Sequence, residues 1–163
     1  MKGVVLCAFA VTGMALHGAQ PHPLMGDYNR AWQLAGQARP HEAISLLKQI
    51  IAKDRTFSLA YETLIFAYQQ TKEFDRAEEY FRSLVAQSPR NGFAYYGLGG
   101  IYRLKNQHEA AAGFFANCIR QSPEAHDCYN WLVNEWAAAH GNTMSYEDLK
   151  RLIPLDSASP YPV

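Results

Sequence analysis

Cysteine is scarce in this chain. The three residues, Cys7, Cys118 and Cys128, include no CxxC pair, and the ten-residue spacing of the last two, with no histidine pair nearby, fits no zinc pattern. Net charge is missing as well: 15 Lys plus Arg cancel 15 Asp plus Glu, which removes the long-range pull toward nucleic acid or anionic lipid. Catalytic signatures are equally thin. His41-Glu42 and His108-Glu109 begin an HExxH helix, but Ser45 and Ala112 stand where the second histidine is required. Both pairs fall at the start of a helix pattern, where a carboxylate complements the helix dipole. Gly97, Gly99 and Gly100 form no phosphate cradle, because no lysine follows them. Cys118 with His126 lacks the third group that orients a thiol and base. The sequence therefore predicts no catalytic residue, no metal site and no cofactor.

Long hydrophobic runs are also lacking, apart from Val4 to Leu16, which is well short of the roughly 20 residues a membrane-spanning helix needs. With Lys2 before it and the small residues Gly18 and Ala19 after it, the run reads as a signal peptide over residues 1–19, cleaved after Ala15 or after Ala19. Leu6 before Cys7 is too large for a lipoprotein acylation site. The expectation is an exported chain, periplasmic or secreted, with no integral membrane segment once processed. In such an oxidising compartment Cys118 and Cys128 are either a bridge or two buried thiols.

What the sequence does have is a core and a repeat. Apolar residues make up 48% and charged residues 18%, enough to fold and too little charge for disorder. One period of 34 organises the chain: Ala43, Ala77 and Ala111; Leu47, Phe81 and Phe115; Ile50, Leu84 and Cys118. The other half of each unit repeats Tyr61, Tyr95 and Tyr129, then Leu64, Leu98 and Leu132, then Leu34, Tyr68, Tyr102 and Trp136. Within a unit, Tyr95, Leu98 and Tyr102 stand at i, i+3 and i+7, one face of a helix. The second helix carries Ala, then an aromatic or Leu four residues on, so that small packs opposite large. Ser-Pro at Pro89 and Pro123 stops it.

These columns resemble the tetratricopeptide repeat family, most clearly in Tyr95, Leu98, Gly99, Tyr102, Ala111, Phe115 and Pro123. The resemblance implies an all-α, right-handed superhelical solenoid of antiparallel helix hairpins: units at 24–57, 58–91 and 92–125, a capping helix at 126–140, then a short helix and extended tail over 141–163. The first unit departs from the pattern, with Asp27 in place of an aromatic and Arg55 in place of proline. Ser145 and Asp148 form a capping-box pattern ahead of the short helix.

In the family, first helices line a concave groove. The matching positions are Tyr28, Trp32, Glu62, Phe66, Gln69, Phe93, Tyr96, Gly100, Arg103, Asn130 and Asn134. Stiff aromatic rings offer contact area at little entropic cost, and the side-chain amides can bond a peptide backbone. Trp32 and Phe66 fit equally well as rings that complete the core between hairpins. The basic clamp by which some members hold acidic carboxyl termini is absent, its positions being Tyr28, Trp32, Thr63, Phe93 and Gly97. The resemblance thus implies an adaptor that holds a protein or peptide segment in its concave groove. The rival readings are the repeat region of a larger multidomain enzyme, and a homo-oligomer docked through a cap face carrying Trp131 and Trp136.

Overall fold

The computed structural model describes residues 22–153, and every regular element in that span is an α-helix. These are α1 (Met25–Gly36), α2 (Pro40–Lys53), α3 (Ser58–Thr71), α4 (Phe74–Gln87), α5 (Gly92–Leu104), α6 (His108–Gln121), α7 (His126–His140) and α8 (Tyr146–Leu152). The signal peptide expected at 1–19 and the extended tail expected from Leu155 lie outside the described residues. No helix among those described is long and apolar enough to cross a membrane.

Local chemistry sets the helix ends. Pro40 opens α2, where its missing N–H would be unpaired anyway. Helices α4 and α6 stop at Gln87 and Gln121, one residue before Ser88-Pro89 and Ser122-Pro123. Gly141 closes α7 in the left-handed region (φ 70°). Ser145 and Asp148 complete a reciprocal capping box on α8.

Helices pack as antiparallel hairpins stacked in one direction, α1 on α2, α3 on α4 and α5 on α6, with α3 also against α1 and α5, and α7 closing the end on α6. The architecture is an all-α helical-hairpin solenoid. Ala43, Ala77 and Ala111 are completely buried, as small residues at a close helix crossing must be. Leu47 and Phe81 are fully buried beside them, and Phe115 nearly so. The glycines of α5 serve the same packing: a Cβ on Gly97 would stand 2.4 Å from the Phe81 ring, and one on Gly99 2.7 Å from Phe115.

Polar links join the hairpins. Glu78 of α4 accepts from Arg82 Nε (2.8 Å), from the hydroxyl of Tyr102 on α5 (2.7 Å) and from Nζ of Lys105 just past the end of α5 (2.8 Å). Both departures in the first unit are used: Asp27 accepts from Lys53 at 3.1 Å, and Arg55 donates to Gln87 at 3.0 Å and to Ser88. At the other end a disulfide joins Cys118 of α6 to Cys128 of α7, with S–S 2.01 Å and Cα–Cα 6.3 Å. Leu149 and Leu152, with buried Ile153 just after them, lay α8 against the cluster around this bridge, which includes Phe115, Ile119 and Leu132, and Arg120 donates to the Leu152 carbonyl.

Candidate functional site

The side chains that converge outside the core come from α3, α5 and α7. Asn91 begins the arrangement. Its side-chain oxygen accepts from the Phe93 N–H at 3.1 Å and caps α5, while its amide nitrogen donates to the Tyr61 hydroxyl at 2.9 Å. Tyr61 in turn donates to the Arg55 carbonyl at 3.0 Å, so Phe93 starts α5 from a fixed point, its ring 5.8 Å from that of Tyr61. One turn on, Tyr96 meets the Phe115 ring edge-on at 5.9 Å. Trp131 of α7 stacks on the other side of this cluster, 6.2 Å from Phe115, and Arg103 of α5 lies over the Trp131 ring at 4.4 Å.

Two adjoining hollows result, sharing Glu62 and Tyr96. The first, about 240 Å³, lies among Glu62, Phe66, Gln69, Tyr96, Arg103 and Trp131, with Ile65, Gly100 and Phe115 beneath. Gly100 permits its depth, because a Cβ there would meet Ile65 Cδ1 at 2.6 Å. The second, about 190 Å³, is lined by Ser58, Glu62, Phe93, Tyr96 and the turn into α7 from Glu124 to Cys128. The disulfide therefore pins one wall of it.

The electrostatics of the two hollows are unequal. Although Glu62 keeps an exposed surface, protein atoms crowd its carboxyl, and this crowding together with the Asp127 charge raises its pKa. Burial, reinforced by the charges of Glu62 and Asp127, pushes the Tyr96 hydroxyl up to about 12 against opposing contributions from the Trp131 N–H and Arg103. At the far side Arg103 has no carboxylate partner among the described residues.

Of the positions singled out in the sequence, Glu62, Phe66, Gln69, Tyr96 and Arg103 surround the first hollow, and Phe93 joins Glu62 and Tyr96 at the second. Trp32, 55% exposed, stacks on Phe66, 41% exposed, at 6.1 Å and prolongs the aromatic surface toward α1. Tyr28 is half-buried, its ring 5.5 Å from Phe57 and its hydroxyl accepting from Thr63 at 3.3 Å. Asn130 and Asn134 are exposed on α7 and line neither hollow. Trp131, expected on a cap face with Trp136, instead belongs to the hollow. Trp136 stands apart from it and stacks on His140 at 3.8 Å. The signal for Trp131 was present, since it occupies the same column as Gly97, and Gly97 lies against Phe81 as Trp131 does against Phe115.

Among the described residues no group of three or more His, Cys, Asp or Glu side chains is placed to hold a metal ion. His108, whose pairing with Glu109 suggested an incomplete zinc motif, instead meets the buried Glu135 carboxylate at 2.7 Å.

Residues 34–102 match a family model described as tetratricopeptide repeat. The chain is also 31% identical over 99 residues to a protein named cell division cycle protein 27 homolog from Caenorhabditis elegans, across 58% of this chain. It spans 13% of that relative's length.

Proposed function

Because this chain is a tetratricopeptide-repeat protein, and such repeats generally mediate protein–protein interaction, we propose that it is an adaptor that holds a segment of a partner protein on the surface formed by α3, α5 and α7. The convergence of Phe93, Tyr96, Trp131 and Phe66 around two adjoining hollows carries this reading. Partly exposed rings backed by a rigid core give contact area without ordering cost, as binding hot spots require. Gln69 and Arg103 at the rim supply the polar groups that fix a peptide's direction. No chemistry is assigned to the site; its work is binding. The adaptor is proposed to act outside the cytoplasm, a reading supported by the leader-like residues 1–19 and by the Cys118–Cys128 bridge, which an oxidising compartment favours.

Photo-crosslinking tests the surface directly. A benzoylphenylalanine at Gln69, beside the hollows, is compared with one at Glu79, exposed between α2 and α4 on the other side. Crosslinks to a partner from position 69 alone support the reading; crosslinks from position 79 alone sink it.

A further inference from the structure

The second hollow has a charge that the rest of the molecule does not. Over the whole chain 15 basic and 15 acidic side chains cancel. Around this hollow stand three carboxylates, Glu62, Glu124 and Asp127, with His126, and the described residues lining it include no lysine or arginine. None of the three carboxylates is paired with a lysine or arginine among the described residues. Asp127 lies in the first turn of α7.

The floor is aromatic. Phe93 and Tyr96 present rings whose faces attract cations. A metal ion does not suit the place, because the acidic groups do not converge on a point. The space, about 190 Å³, is several times the roughly 30 Å³ share of one water and below the range of about 300 Å³ and more typical of drug-sized ligands. One long side chain fits it. The repulsion between the Glu62 carboxyl and the Asp127 charge is offset when a cation enters between them.

We propose that this hollow receives the cationic side chain, arginine or lysine, of the bound protein segment, seated on Phe93 and Tyr96 between the carboxylates of Glu62 and Asp127. The proposal rests on the groove reading and names the chemistry of its partner. In the adjoining hollow, Arg103 over Trp131 repels a second cation, so the segment is held in one direction.

A phage-displayed random dodecapeptide library selected on the full chain tests it. Selected peptides are then measured by fluorescence anisotropy against the native chain, Glu62→Gln/Asp127→Asn, and Phe93→Ala/Tyr96→Ala, each checked for helix content by circular dichroism. The acidic side chains are exposed, so their variant keeps the fold. The expected result is enrichment of one arginine or lysine position, loss of affinity of about tenfold or more in the Glu62→Gln/Asp127→Asn variant, and weaker binding as salt rises. A charge swap adds a readout that a merely structural role would not move: Glu62→Lys binds the selected peptide better once its arginine is replaced by aspartate. Peptides that need Phe93 and Tyr96 but show no basic position, or that ignore the loss of both carboxylates, overturn the proposal and leave the groove standing. If no selected peptide depends on Phe93 and Tyr96, both the proposal and the groove reading fall.

Discussion

The guanidinium of Arg103 lies 4.4 Å from the centre of the Trp131 ring, and this contact joins α5 to the closing helix α7 across the mouth of the first hollow. A cation over a partly exposed indole is worth about 0.5–1 kcal/mol. Arg103→Ala is expected to lower unfolding stability by that amount in urea, whereas Arg103→Lys, which keeps the charge, loses less.

Glu78 makes the solenoid sensitive to acid. Burial alone would raise its pKa, but hydrogen bonds from Lys105, Tyr102 and Arg82 outweigh burial and hold the carboxyl at about 2, below its ordinary 4.5. A carboxyl depressed on folding contributes fully above its unfolded value and loses that contribution as pH falls through its folded value. Thermal melts of the native chain should therefore lose stability progressively from about pH 5 toward pH 2. Glu78→Gln should melt lower at neutral pH by about 1–3 kcal/mol and show a shallower acid decline. Equal pH slopes in the two proteins would show that the network carries no such charge.

The disulfide closes a short loop between residues ten apart, and on the chain-entropy account such a loop is worth roughly 2–3 kcal/mol. Cys118→Ala/Cys128→Ala, or reduction, should lower the melting midpoint accordingly. Because Cys128 lines the second hollow, reduction should also weaken any peptide held there. Unchanged affinity after verified reduction would mean that the wall stands without the bridge.

Three glycines separate packing from propensity. Gly97→Ala drives a methyl into the fully buried Phe81 ring, 2.4 Å away, and should cost about 1–3 kcal/mol. Gly100→Ala first meets the end of the Ile65 side chain, which can turn aside, so its penalty should be smaller. Gly113 sits in α6 with nothing within 4 Å of the added atom, and Gly113→Ala should stabilise by about 0.5–1 kcal/mol. Urea denaturation of the three variants gives the order directly.

Much of the fold was legible because burial repeats with the chain. The Ala43, Ala77 and Ala111 column marks helix crossings, and the capping pattern at Ser145 and Asp148 is a short-range signal that needs no tertiary context. The groove was legible only in part. Periodicity says which way Glu62, Phe66, Tyr96 and Arg103 point, but not how far a ring reaches. The column of Thr63 and Gly97 holds small residues where hairpins stack. At the end of the stack the same column admits Trp131, whose ring spreads over Phe115 into the hollow. The links from Arg55 to Gln87 and Ser88, and from Glu78 to Tyr102, depend on how one hairpin is set against the next. No single repeat encodes that offset.

Whether the surface of α3, α5 and α7 holds a partner segment is decided by capture with the native chain beside a folded Phe93→Ala/Tyr96→Ala variant. Phe66→Ser, on an exposed ring at the groove's edge, serves as a second variant that leaves the core intact. A partner should be retained by the native chain, lost by the double variant and weakened by Phe66→Ser, with helix content unchanged in all three. A partner captured equally by the native chain and both variants would rule this surface out and move the working surface to another face of the solenoid.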